Sequence, residues 1–278
     1  MTAPADAAAV RPGPEALLVL AVDVAREAAE LVTRGRASAA DSVDVKSSPV
    51  DVVTAVDKAS EELIVSRLLE ARPDDGLLGE EGASRTGTSG VRWVVDPIDG
   101  TVNFLYDVPA YAVSIAAEVD GVVVAGVVLN VANGELFTAV AGGGANLSTR
   151  DRPEPRRLTG SRPVSLEQAL VATGFGYRVE QRRAQGAVVA RLLTRVRDIR
   201  RFGSAALDLC AVAAGRLDAY YELDLNPWDH AAGALVAAEA GLAVTGLPGR
   251  PFAEPMVIVA APTIATAFVE LVVELHSA

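Results

Sequence analysis

Only one cysteine, Cys210, occurs in the 278 residues. A single thiol excludes an internal disulfide and suits a reducing compartment, so a cytoplasmic setting is expected. The surrounding Leu207-Asp208-Leu209-Cys210-Ala211-Val212 reads as a helix core position, not a reactive one. Bases are also scarce, with 25 Lys and Arg against 36 Asp and Glu and a formal net charge of −11. That balance disfavours nucleic-acid binding driven by phosphate neutralisation. Long apolar runs are missing as well. Ala16 to Val22 comes nearest, but it is too short to span a bilayer, is interrupted by Asp23 and lacks a basic start and a cleavage site. No membrane partner is expected. The stretch runs on to Val32 as an ordinary amphipathic helix. Gly142-Gly143-Gly144 lacks the G-x-G-x-x-G spacing, and no base follows in a P-loop position, so it reads as a bend. The arginines between Glu180 and Arg197 have no interleaved aromatic residues and read as a solvated helix face. Internal repeats and low-complexity segments are absent.

Half of the residues are apolar, ample for a core. The length suits one large domain or two intimately packed halves. Met1 to Pro14, rich in Ala and Pro, reads as a disordered tail, and composition shifts to Arg, Pro, Asp and Ser between Leu147 and Pro163. The expected division is therefore 15–150 and 151–278. Arg34 to Asp44 reads as a loop, and a second helix is expected from about Asp57, placed as its N-cap, to Ala71, with Glu61 and Glu62 in its first turn. Tyr111 to Val119, Val122 to Val131 and Glu135 to Val140, separated by Asp120-Gly121 and Asn133-Gly134, read as an antiparallel meander. Further strands are expected at Ala169–Phe175, Asp218–Leu223 and Met256–Ala260, and helices from Glu180, Leu207, Asp229, which is placed as the N-cap of its helix, and Thr263. Such irregular alternation favours a mixed, layered α/β sandwich over a doubly wound parallel fold.

The most informative stretch is Trp93-Val94-Val95-Asp96-Pro97-Ile98-Asp99-Gly100-Thr101-Val102-Asn103-Phe104. Val91 to Val95 reads as a buried strand ending in a tight turn, because Pro97 has no amide hydrogen and the ladder is expected to stop there. Two carboxylates and the Ile98 carbonyl would then meet at a helix start opened by Thr101. Hard oxygens of this kind suit Mg²⁺, and free amides suit phosphate. Read alone, the stretch is equally a strand followed by an Asx turn.

Its full length closely resembles the first signature of the inositol monophosphatase family, the Mg²⁺-dependent, lithium-sensitive phosphomonoesterases. The second signature resembles Trp228-Asp229-His230-Ala231-Ala232-Gly233-Ala234-Leu235 with Glu239-Ala240-Gly241. Two further segments are similar to the family pattern: Lys46 to Asp57, and Gly79-Glu80-Glu81. His230 departs from the small or apolar residue usual there, which leaves the pocket's polarity open.

By resemblance the fold is five alternating layers of helices and sheets, αβαβα, commonly a homodimer. The resemblance also implies two or three Mg²⁺ ions, the first on Glu80, Asp96 and the Ile98 carbonyl, the second on Asp96, Asp99 and Asp229. Glu80 and Thr101 would orient the attacking water, with Asp57 accepting from the Thr101 hydroxyl. The amides of Gly100 and Thr101 would receive phosphate. Glu222 and the Gly203-Ser204-Ala205 loop would meet the sugar ring, Glu222 by binding hydroxyls, while Lys46 would lie near the site in no assigned role. The implied reaction is hydrolysis of myo-inositol 1-phosphate. Fructose 1,6-bisphosphate, histidinol phosphate and 3′-phosphonucleotides share the ligand set and stay open as substrates. A non-catalytic metal-binding scaffold is the alternative of another class.

Overall fold

The structure, a computed structural model, describes residues 12–36, 43–46 and 52–277. Most of the expected N-terminal tail, part of the loop after the first helix, and Ser47 to Asp51 lie outside the described residues. Helix α1 (Pro14–Gly35) buries Leu17, Ala21, Val24, Ala25, Ala28 and Val32, a stripe at helical spacing. A hairpin of β1 (Val43–Val45) and β2 (Val52–Thr54) follows, part of which the sequence reads as loop. Three-residue strands carry too little periodicity to stand out. Helix α2 (Ala55–Ala71) comes next.

Strands β3 (Gly76–Gly79), β4 (Ser84–Arg85) and β5 (Val91–Asp99) lead to the short α3 (Thr101–Tyr106). The expected meander follows as β6 (Ala112–Val119), β7 (Val122–Asn130) and β8 (Leu136–Val140), turning at the two Gly dipeptides. The Arg- and Pro-rich region is not all linker. Strands β9 (Gly144–Thr149) and β10 (Arg152–Arg157) form a last hairpin, and β10, exposed throughout, ends the sheet with charge and proline as edge strands do. Together β3 to β10 make an eight-stranded sheet in the order β10-β9-β8-β7-β6-β5-β3-β4. Only β3 and β5 pair in parallel.

The remainder builds a second sheet from β11 (Leu170–Thr173), β12 (Asp198–Arg200), β13 (Ala219–Leu223), β14 (Ala243–Thr245) and β15 (Met256–Ala260). Its five strands run in the order β12-β11-β13-β15-β14. Helices α4 (Val179–Leu192), α5 (Ala205–Ala213), α6 (Pro227–Glu239) and α7 (Ala265–Ser277) complete the chain.

Alternation along the strands sorts the side chains into three cores. Trp93, Val95, Val113, Ile115 and Val127 face α1 and α2. Val94, Ala116 and Val128 face the other way, onto α5 and α6, where Tyr220, Val257 and Val259 of the second sheet close the same core. Val171, Tyr221 and Ile258 face α7 and α4. The order of layers is thus α1/α2, eight strands, α5/α6, five strands, α4/α7: the five-layer αβαβα sandwich. Strands covered on both faces explain the nearly unbroken apolar runs. Cys210 is fully buried in the middle layer. No described helix is long and apolar enough to cross a membrane.

Candidate active site

Because β3 and β5 are parallel neighbours, their carboxyl ends lie side by side, and the Glu80 amide donates to the Val95 carbonyl at 3.2 Å. Four helices, α2, α3, α5 and α6, begin in the same region. Most candidate residues sit at these ends.

The expected turn at Pro97 is replaced by a bulge. Strand β5 runs on to Asp99, pairing Asp96 with Ser114 and Asp99 with Ala112, so that Pro97 and Ile98 oppose the single residue Val113. Proline fits here because a bulged residue owes no hydrogen bond to the ladder. The bulge turns the Asp96 carboxylate back onto its own backbone, where the Ile98 amide donates to Oδ1 at 3.1 Å. Gly100 then holds φ at +95°, and a Cβ there would lie 2.9 Å from the Ala110 carbonyl oxygen, so only glycine serves.

Thr101 Oγ1 lies 2.9 Å from Asp57 Oδ1 and 3.2 Å from the Ile98 carbonyl oxygen. With one proton to give, it donates to the nearer, charged acceptor, the pairing that the resemblance implies. Asp57 is not the N-cap of α2. Thr54 is, and Asp57 is the third helical residue of a capping box: its Oδ2 accepts from the Thr54 amide at 2.9 Å while the Thr54 hydroxyl accepts from the Asp57 amide. Starting the helix at Ala55 moves Glu61 beyond the first turn. There it is buried, and its carboxylate accepts from the amides of Glu81 at 2.8 Å and Ala83 at 2.9 Å, so it cradles the loop that carries Glu80. From the sequence Glu61 is only a favourable charge for the helix dipole, since its partners lie some twenty residues away.

Asp229 repeats the Asp57 arrangement. Asn226 is the N-cap of α6 and Pro227 its first residue, and Asp229 Oδ2 accepts from the Asn226 amide at 2.6 Å. The expectation of Asp229 as N-cap is corrected for the same reason: a polar residue three positions earlier closes the box. His230 packs edge-on against Phe252 with ring centroids 5.3 Å apart, and burial pushes its pKa down to about 4, which keeps it neutral.

Asp99 is held at the start of α5, its Oδ2 accepting from Ser204 Oγ at 2.6 Å and from the Ala206 amide at 2.7 Å. Ser204, which also caps α5, therefore turns its hydroxyl to Asp99, with Gly203 and Ala205 flanking it. The Asn103 side chain ties this loop to α3 by donating to the Phe202 carbonyl at 2.7 Å. Glu222, at the end of β13, accepts from Tyr220 Oη at 2.5 Å. Lys46 bridges Glu80 at 2.9 Å and Glu81 at 2.5 Å.

The electrostatics join these acids into one group. Burial pushes Asp96 well above the carboxylate range, and Glu80, Asp99 and Asp229 push it further. Burial raises Asp99 to about 6 against the pull of Ser204 and the α5 amides. Asp229 is raised by burial and then by Asp99, and Glu222 by burial to about 7. Among the described residues, however, no three of these side chains are drawn close enough to make a ready cation cage. Each carboxylate is engaged by the protein's own donors instead, Glu80 by the Lys46 ammonium. The donor set still fits a divalent cation: hard oxygens only, with Asp96 1 % exposed and the main influences on it all burial or other acids. Buried like charges of this kind need positive compensation. A cavity of about 570 Å³ lies elsewhere, between α1 and the β9–β10 hairpin, and touches none of these residues.

The sequence matches the model of the inositol monophosphatase family over residues 14–277. It is 48 % identical over 271 residues to an inositol-1-monophosphatase of Mycobacterium leprae, covering 91 % of this chain and 92 % of the relative. It is 39 % identical over 236 residues to the Nus factor SuhB of Escherichia coli K12, covering 84 % of this chain and 86 % of the relative. The solved structure of Mycobacterium tuberculosis SuhB superposes with a TM-score of 0.81 at 45 % identity, covering 95 % of this chain and 98 % of that one.

Proposed function

Since the chain belongs to the inositol monophosphatase family, we propose that it is a Mg²⁺-dependent phosphomonoesterase that hydrolyses myo-inositol 1-phosphate to inositol and phosphate. The observation that carries the reading is the electrostatic coupling of Asp96 to Glu80, Asp99 and Asp229 at the carboxyl ends of β3 and β5. Glu80, Asp96, Asp99, Asp229 and the Ile98 carbonyl would hold the cations, two or three to a site. Bound there, Mg²⁺ would lower the pKa of water and neutralise phosphoryl and alkoxide oxygens.

The chain's own groups supply the rest. Thr101, its proton given to Asp57, presents an oxygen lone pair toward an incoming water and, with Glu80, would orient it and receive its proton. The Gly100 and Thr101 amides would receive phosphate oxygens. Glu222 would accept a hydroxyl of the polyol, and with Ser204 turned to Asp99, the Gly203-Ser204-Ala205 loop has its backbone to offer the ring. Lys46 stands on Glu80 and Glu81 and would have to yield Glu80 to a cation.

A homodimer is part of this proposal. Tyr106 is 78 %, Val108 43 % and Phe202 42 % exposed, and Asn103 links their two loops, leaving an apolar patch that a second copy would cover. Cytoplasmic location and lithium inhibition belong to the same reading.

The test is phosphate release from inositol 1-phosphate, fructose 1,6-bisphosphate, histidinol phosphate and a 3′-phosphonucleotide, with and without Mg²⁺, by the wild-type chain and Asp99→Asn. We expect inositol 1-phosphate to be preferred, Mg²⁺ to be required, and Asp99→Asn to lose at least about 10²-fold in turnover, as removal of a single charge-stabilising group does elsewhere. An unchanged rate in Asp99→Asn would end the metal assignment. No turnover of any ester would favour the scaffold alternative.

A further inference from the structure

Strand β13 turns Tyr220 and Glu222 to the same face, since residues two apart share a side. The Tyr220 ring is wholly buried in the middle layer beside α5. Its hydroxyl donates to Glu222 Oε2 at 2.5 Å. Across the sheet, β11 pairs Thr173 with Tyr221, which places Gly174 against the end of β13. A Cβ on Gly174 would lie 1.9 Å from Glu222 Oε2 and 2.1 Å from both its Cδ and Oε1. The carboxylate therefore lies flat on the Gly174 backbone, pinned at one oxygen by a phenol that is itself fixed by packing, while its residue remains partly exposed. The other groups that influence Glu222 are Arg201, which favours its charge, and Asp99, which opposes it. Asp208 of α5 also feels the Glu222 charge, and its Oδ1 is buried without a partner among the described residues.

We infer that Tyr220, seated opposite Gly174, is a positioning residue for substrate selection: it occupies Glu222 Oε2 so that Oε1 alone is aimed at a hydroxyl of the polyol. The inference rests on the reading that Glu222 meets the polyol. Tyr220 touches no ligand, and its effect passes entirely through the direction of one carboxylate. Freed from the phenol, Glu222 would turn toward Arg201 and lose its aim, which costs a hydroxyl-bearing substrate and spares one without hydroxyls.

The experiment compares wild-type chain, Tyr220→Phe and Gly174→Ala on inositol 1-phosphate and on p-nitrophenyl phosphate, with Mg²⁺ present. Phenylalanine keeps the buried ring, and alanine displaces Glu222 while leaving the phenol in place. For both variants we expect the inositol 1-phosphate to p-nitrophenyl phosphate ratio of kcat/KM to fall about tenfold, the size of one hydrogen bond to a charged group. The fall should lie in KM for the inositol ester more than in kcat. Equal losses on the two esters, or losses in kcat alone, would overturn the inference and leave the phosphatase reading standing. Should the wild-type chain turn over neither ester, the parent reading falls and this one with it. A Tyr220→Phe chain that does not fold leaves Gly174→Ala to decide, with the same criteria.

Discussion

Replacing Glu61 by Gln separates charge from shape at the loop that carries Glu80. The Glu61 carboxylate accepts two amide hydrogens, from Glu81 and Ala83, and lies where a Cβ on Gly79 would be 2.3 Å from its Oε2. Gln has the same outline but one acceptor oxygen. Its amide nitrogen must face one of the two N–H groups, so a hydrogen bond to a charged acceptor is exchanged for a donor facing a donor. A hydrogen bond to a charged group contributes about 1.5–3 kcal/mol. Taking a loss of about 2 kcal/mol, a chain of this size should melt roughly 4–8 °C lower. The same change loosens Glu80, so we expect the Mg²⁺ concentration for half-maximal phosphate release to rise about tenfold, the equivalent of roughly 1.4 kcal/mol. Thermal unfolding gives the first quantity and a Mg²⁺ titration of activity the second. A lower melting temperature with an unmoved Mg²⁺ midpoint would refute the reasoning, since Glu61 would then brace the fold without directing Glu80.

Glu222 stands at about 7 in the folded chain against an ordinary 4.5. The folded state holds that proton more tightly, so the contribution to stability is whole below pH 4.5 and is lost as pH rises through about 7. Denaturant unfolding of the metal-free protein should therefore show a shallower fall in stability between about pH 5 and about pH 8 for Glu222→Gln than for the wild-type chain; parallel curves would remove Glu222 from the account. Tyr106→Glu places a charge in the exposed patch with Val108 and Phe202. Light scattering should find the wild-type chain as a dimer and this variant as a monomer at micromolar concentration, and a variant that stays dimeric would move the contact elsewhere.

The parts of the fold that were legible in the sequence are those written locally. Asp120-Gly121 and Asn133-Gly134 give two hairpins, and Val91 to Val95 shows a strand between two packed layers. The bulge at Pro97 was not legible, because whether a proline ends a strand or is absorbed depends on the neighbouring strand, here Val113 against Pro97 and Ile98. The two helix starts were misplaced for a different reason. Thr54-x-x-Asp57 and Asn226-x-x-Asp229 do carry the capping-box spacing, yet an acid before an apolar helix is by itself as good a cap as the polar residue three places earlier, and only the backbone decides between them. Glu61 and Tyr220 were out of reach altogether, the first because its partners come from another element, the second because a tyrosine in an apolar strand looks like core until its hydroxyl is located.

The capping boxes bear on how this family should be read across genomes. Asp57 and Asp229 each close the end of a long helix in addition to standing beside the other acids. A descendant that had abandoned chemistry would still unravel two helix ends by discarding them, so their survival in an alignment speaks for folding as much as for turnover. Asp96 has no such second employment: buried, bonded to the amide of its own bulge and pushed up by burial and by Glu80, it is a cost to the folded chain unless something positive comes to it. Among relatives, the residue at that position is the one whose loss would mark a retired enzyme.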